Sequence, residues 1–300
     1  MPLSRGDGVA VVAPAGPVDR VLYEAGLALL TRRYQVVQQF DHLAPPHPRL
    51  PYLAGEDQWR ADQLNRALND PRVKAIFCAR GGYGAMRILD QLDAAALVQR
   101  RIPIIGFSDC TALHLWAARH QVSTIHGPVV TQLSLLPLHD QQRLFHLLEG
   151  ESPPPIQGLG RVCGGRRRGP LLGGNLSLLT HMLHTPHMPA LAGCILLTEE
   201  IGEAPYRIDR MLTQLGLAGV LQGLAGVCIG TLERCDTPQV TALDVFAERL
   251  APLGLPVVSG APVGHAQRNL ALPLGPWVEL DAGNGTLSYL KQETQRSYLY

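Results

Sequence analysis

The chain has 300 residues, 46% of them hydrophobic and 17% charged, which excludes a disordered or fibrous protein and gives a length prior of about two domains. Its 26 Lys and Arg stand against 25 Asp and Glu, a formal net charge of +1, so no global field favours nucleic acid or an anionic membrane. The 31 glycines and 24 prolines imply many short elements joined by tight turns.

In chain order, the apolar run 9–13 predicts a first strand, ended by the turn Pro14-Ala15-Gly16-Pro17. Over 18–33, Val18, Leu22, Ala25 and Leu29 recur at helical spacing. Residues 34–40 predict a second strand. Residues 56–68 predict a helix stopped near Asn69-Asp70-Pro71, and 73–79 a buried strand. A helix over 83–97, a short buried strand over 102–105 and a helix over 111–118 continue the alternation. That alternation predicts a parallel sheet with helices on both faces.

Between about 138 and 169 the composition changes. Pro153-Pro154-Pro155, Gly158, Gly160, Gly164 and Gly165 cluster ahead of Arg166-Arg167-Arg168. We therefore expect an N-terminal α/β domain over 1–138, a connection over 139–169 and a smaller C-terminal α/β domain over 170–300. Three arginines are short of a basic tract and predict a solvated rim. In the second half, 195–197 predicts a strand followed by an acidic loop. A helix around 208–215 and strands at 227–230 and 257–258 come next. The uncharged run 211–232 has the length of a membrane span, but Gln214, Gln222 and its glycines predict a helix, a turn and a buried strand. The stretch 9–13 is too short for a signal sequence. Cys78, Cys110, Cys163, Cys194, Cys228 and Cys235 form no C-x-x-C pair, so free thiols in a reducing compartment are expected.

The sharpest local feature is Gly106-Phe107-Ser108-Asp109-Cys110, between an apolar strand and a helix. A nucleophile elbow needs that strand–turn–helix context, with small residues two before and two after the serine. An ordinary helix N-cap at Ser108 or Asp109 fits the local sequence equally well. A serine nucleophile needs a base and an orienter. His265 follows a strand and a Gly260-Ala261-Pro262 turn, a position suited to a base. Glu199 and Glu200 follow a strand and are the carboxylate candidates. His181, His184 and His187 have a metal-like spacing, but Pro186 breaks their register and no acidic ligand is near, so no metal is expected. The loop Arg80-Gly81-Gly82-Tyr83-Gly84 lacks the third glycine of a dinucleotide fingerprint, so no cofactor is expected; its N–H groups suit an anion or an oxyanion instead.

Taken together, the motifs resemble those of the LD-carboxypeptidases, the muramoyltetrapeptide carboxypeptidases of peptidoglycan recycling. The resemblance spans nearly the whole chain. It rests on Val12-Ala13-Pro14-Ala15-Gly16-Pro17, Ala79 to Ala85, Gly106-Phe107-Ser108-Asp109 and His126-Gly127-Pro128. Leu172-Gly173-Gly174-Asn175-Leu176, the block from Leu197 to Leu212, Gly264-His265 and Leu272-Pro273-Leu274-Gly275 complete it.

The resemblance implies a parallel-sheet domain carrying the nucleophile and a smaller α/β domain carrying Glu and His. It also implies a Ser108-Glu199-His265 triad, with Glu200 as a neighbour. The oxyanion would be held by the N–H groups of Asp109 and Gly82. Arg80, Arg207 and Arg210 are candidates for binding a terminal carboxylate. The implied substrate is a cytoplasmic muropeptide tetrapeptide that loses its terminal D-alanine, and a homodimer is implied. The alternatives are a microcin-immunity peptidase cleaving acyl-adenylate amides and a non-catalytic muropeptide-binding module. No nucleic-acid or membrane partner is expected.

Overall fold

The computed structural model describes residues 2–40 and 46–290, so the ends of the expected domain ranges and positions 41–45 lie outside the described residues. The first half alternates as the apolar runs dictate. β1 (Gly8–Val12) is buried along its whole length, as a central strand covered on both faces must be. α1 (Arg20–Thr31) is capped by Asp19, whose carboxylate accepts from the Leu22 N–H at 3.0 Å. β2 (Gln35–Gln39), α2 (Asp57–Asn69) and β3 (Val73–Cys78) follow. The helix expected over 83–97 is two pieces, a 3₁₀ segment at Ala85–Gln91 and α3 (Ala94–Arg100). Asp93 divides them: its side chain caps the Ala96 N–H at 2.9 Å, and its own N–H is held by Asn65 at 2.8 Å. β4 (Ile104–Gly106), α4 (Thr111–Arg119), β5 (Thr124–His126), α5 (Val130–Leu133) and α6 (Leu138–Leu148) complete this half.

The second half contains β6 (Gly160–Cys163), β7 (Arg166–Asn175), α7 (Leu176–His181), β8 (Ile195–Ile201), α8 (Pro205–Leu217), β9 (Gly226–Glu233), α9 (Ala242–Leu250), β10 (Val257–Ser259), β11 (Leu272–Leu274), β12 (Trp277–Asp281) and β13 (Thr286–Tyr289). Two sheets result. The first has six strands in the order β11-β5-β4-β3-β1-β2, with β1 to β5 parallel. β11 closes its edge antiparallel to β5, so a strand from the second half completes the first sheet. The second has seven strands in the order β13-β12-β7-β8-β9-β10-β6, parallel at β7-β8-β9-β10 and antiparallel outside them. The stretch 139–169 is partly structured, holding most of α6, all of β6 and the start of β7. There Arg166 and Arg168 reach Glu279 at 2.5 and 2.6 Å across the β7–β12 pair.

The acidic loop expected after residue 197 is instead strand. β8 runs to Ile201 because β7 and β9 pair with it on both sides, which takes both carboxylates indoors. The uncharged run 211–232 divides into the end of α8, a short turn at Leu221–Gly223 and most of β9. No helix among the described residues is long and apolar enough to cross a membrane. One buried cluster passes from Ile104, Leu113 and Trp116 to Leu172, Leu197 and Ile229, so the core runs through both halves. Thr111 Oγ1 accepts the Asn175 N–H at 3.0 Å where α4 meets the end of β7. That junction positions the site.

Candidate active site

Ser108 stands between β4 and α4 with φ 62°, a left-handed conformation that costs a non-glycine residue about 1–2 kcal/mol. The sharp turn it makes is the strand-to-helix elbow the motif predicts. A Cβ at Gly106 would lie 2.9 Å from Cys110 Sγ and 3.1 Å from Cys78 Cβ, so only glycine fits two residues before the serine. The loop after β3 lies alongside. A Cβ at Gly81 would stand 3.1 Å from Ser108 Oγ, which puts that backbone against the hydroxyl. Gly82 follows at φ 101°, and its N–H donates to no group among the described residues. The Asp109 carboxylate turns inward and accepts the Ala85 N–H at 2.7 Å, tying the elbow to the end of this loop. Burial pushes that carboxyl up to about 6.

Arg60, on α2, has no exposed surface and was not singled out by sequence, where it is one more polar residue of an amphipathic helix. Its guanidinium donates to the carbonyls of Pro14, Gly84 (2.8 Å) and Gly55 (3.2 Å) and pairs with Asp57. It therefore holds the loops after β1 and β3 to the start of α2.

His265 and Glu199 meet on the other side of the serine. The His265 Nδ1–H donates to Glu199 Oε2 at 2.7 Å; the histidine side chain is 15% exposed and the carboxylate fully buried. Burial raises the Glu199 pKa, and the bond to His265 pulls against that rise. A bulge in the β8–β9 pairing between Thr198 and Glu200 re-aims the strand here. From the bulged stretch of β9, Thr231 Oγ1 accepts the His265 N–H at 3.2 Å. Gly264, at φ 127°, lies so close that a Cβ would meet Glu199 Oε2 at 2.7 Å. The His265 ring lies 4.8 Å from the ring of Phe107, the residue before Ser108. No hydrogen bond joins Ser108 to His265 in this conformation; catalytic hydrogen bonds commonly tighten only around substrate.

Glu200 points away from His265, as alternation along a strand requires. It accepts from Asn175 Nδ2 at 2.9 Å, the Ser177 N–H at 2.8 Å, Ser177 Oγ at 2.7 Å and the Ile201 N–H at 2.9 Å. His126 and His114 are buried beneath the elbow. His114 Nε2 bonds the Gly106 carbonyl at 2.8 Å, and burial lowers both pKa values, that of His114 to about 4.

The remaining candidates separate. Arg80 donates to the Pro17 carbonyl from the loop after β3. Arg207 and Arg210 gather at the exposed Tyr206, where Arg207 also meets Glu203 at 3.3 Å. His187 bonds Asp90 at 2.8 Å, and no group of three or more His, Cys, Asp or Glu among the described residues is placed to hold a metal.

A Ser elbow, a histidine paired with a buried glutamate and a backbone donor make acyl transfer through a serine possible. The LD-carboxypeptidase N-terminal domain model matches residues 9–127, and the C-terminal domain model matches residues 168–280. The murein tetrapeptide carboxypeptidase of Pseudomonas aeruginosa is 36% identical over 292 residues, covering 91% of this chain and 92% of that one. The muramoyltetrapeptide carboxypeptidase structure from Oxalobacter formigenes superposes with a TM-score of 0.82 at 28% identity, over 93% of this chain and 97% of that one. The Microcin C7 self-immunity protein of Escherichia coli is 26% identical over 277 residues, 80% of each chain. A wild-type apo structure of a Microcin C7 self-immunity protein superposes with a TM-score of 0.87 at 21% identity over 97% of this chain and 98% of that one, a likeness of fold alone. With both domain models matched in order along one chain, the protein belongs to the LD-carboxypeptidase family.

Proposed function

We propose that this protein is a serine carboxypeptidase that removes the terminal D-alanine from murein tetrapeptides. The observation that carries the reading is the pairing of His265 with the buried Glu199, 2.7 Å apart, against the strained Ser108 elbow. In this reading His265 Nε2 takes the Ser108 proton as Oγ attacks the carbonyl before the terminal residue. The Asp109 and Gly82 N–H groups receive the oxyanion. The imidazolium, stabilised by Glu199, then protonates the departing amine, and water cleaves the acyl-enzyme by the reverse sequence. A terminal carboxylate needs a cation, and Arg80, Arg207 and Arg210 are the candidates. The names of the relatives from Pseudomonas aeruginosa and Oxalobacter formigenes support the substrate class. Six free cysteines suit a reducing compartment, and we place the enzyme in the cytoplasm as a homodimer recycling wall fragments. We retain the division at 138 and 169 as the proposed domain organisation, with β11 reaching back into the first sheet.

The test is D-alanine release from a purified murein tetrapeptide by the wild-type protein and by Ser108→Ala. Release by the wild type alone supports the reading. Release by neither protein, with an acyl-adenylate amide cleaved instead, transfers the assignment to the microcin-immunity activity. Binding without turnover of either leaves a muropeptide-binding module.

A further inference from the structure

The first sheet has a topological switch. The strand order puts β2 on one side of β1 and β3, β4 and β5 on the other, so the connections after β1 and β3 leave in opposite directions at the carboxyl ends of those strands. Ligands of open α/β sheets bind at such a switch point. Here two aromatic side chains stand beside it. Tyr83 lies on the loop after β3, and Tyr52 lies on the segment packed against the loop after β1. They are 48% and 50% exposed, with ring centroids 5.8 Å apart in an edge-to-face pair.

Both tyrosines stand on a rigid base. The Gly16 N–H donates to the Gly81 carbonyl at 2.9 Å, and the Ala54 N–H to the Ala15 carbonyl at 2.9 Å. Beneath them the buried Arg60 joins Pro14, Gly55 and Gly84. Two aromatic rings held this firmly, side by side and half in water at a switch point, offer a stacking surface to a ligand.

We propose that Tyr52 and Tyr83 form a subsite for a sugar ring at the amino end of the murein peptide, a role that rests on the carboxypeptidase reading. Neighbouring strands are about 4.8 Å apart, so β1, whose following loop packs against the Tyr52 segment, lies roughly 10 Å along the sheet edge from β4, which leads into Ser108. The three residues ahead of the scissile bond of a tetrapeptide also span about 10 Å when extended. A peptide with its last bond at Ser108 and its amino end running toward β1 would bring its amino-terminal substituent to the tyrosines. The C–H face of a pyranose packs on an aromatic ring, and the phenol hydroxyls can bond its hydroxyls.

The experiment compares kcat/KM for a free tetrapeptide and for the same peptide bearing N-acetylmuramic acid, in wild type, Tyr52→Ala, Tyr83→Ala, the double variant and Tyr52→Phe/Tyr83→Phe. The wild type should prefer the sugar-bearing peptide about tenfold, an ordinary yield for one well-packed contact. The double alanine variant should lose that preference while keeping its rate on the free peptide within about twofold, and the phenylalanine variant should retain most of it. No preference in the wild type would overturn the proposal. So would an equal loss on both substrates, or a change confined to oligomeric state, which would make the ledge a contact between copies. If the wild type cleaves neither peptide, the carboxypeptidase reading fails separately. Saturation-transfer NMR with N-acetylmuramoyl dipeptide on Ser108→Ala, with and without the two tyrosines, then tests the ledge. Equal transfer in both would refute it.

Discussion

Replacing Glu199 and Glu200 each by glutamine tests the site most sharply, because the two carboxylates are adjacent in sequence and hold different partners. Glu199 is fully buried and touches His265 at 2.7 Å. An amide there can either accept the Nδ1–H without charge or present its own NH₂ and force the wrong imidazole tautomer. In both cases the imidazolium of the proposed mechanism loses its counter-charge. The equivalent Asp-to-Asn change in a serine protease costs about 10⁴-fold in kcat. A fall of at least about 10²-fold is expected for Glu199→Gln. Glu200 instead receives four hydrogen bonds, two from Ser177 and one each from Asn175 and Ile201. An amide nitrogen placed among those donors leaves at least one bond unmade, which costs about 1–3 kcal/mol of stability. The Glu200→Gln enzyme should therefore melt earlier yet keep kcat within about tenfold. The assay is kcat for D-alanine release at a temperature where circular dichroism shows both variants folded. A larger loss of kcat in Glu200→Gln would reverse the assignment and refute the alternation argument.

Ser108→Ala should lose several powers of ten in turnover, and adding His265→Ala should change little further, since triad members act as a unit; near-normal D-alanine release by the single variant would remove the serine mechanism. Activity should survive dialysis against EDTA or phenanthroline, and a loss restored by zinc would revive a metallopeptidase. Acid should act through the two buried histidines, His114 and His126, whose pKa values burial lowers. The folded pKa of His114, about 4, lies below the unfolded value near 6.5, so its contribution is intact above pH 6.5 and lost as pH falls, about 2 kcal/mol by pH 5. Asp109, held up to about 6, works the other way, so the measurement is the difference in Tm between wild type and His114→Gln from pH 7 to 5. The gap should shift in favour of the variant as pH falls, and a constant gap would exclude the histidine.

Local sequence determined the alternation of elements and the serine turn. Apolar runs of strand length and helical spacing of Val18, Leu22, Ala25 and Leu29 report burial directly, so β1, α1, α2, β3 and α4 fall within a few residues of expectation. Gly106 ahead of Ser108 is legible because the turn folds Cys110, only four residues on, to within 2.9 Å of any Cβ placed there. The helix over 83–97 failed because Asp93 forms a competing cap with Asn65, a partner 28 residues away that periodicity cannot register. Tertiary structure alone decided the rest. Glu199 and Glu200 look like a solvated strand end until β7 and β9 enclose β8 on both sides. Arg60 looks like a helix surface until three loops close over it. β11 lies far along the chain from β5 yet completes its sheet. The division has a physical basis: backbone geometry and apolar spacing act over a few residues, whereas the environment of a charge depends on what packs around it from elsewhere in the chain.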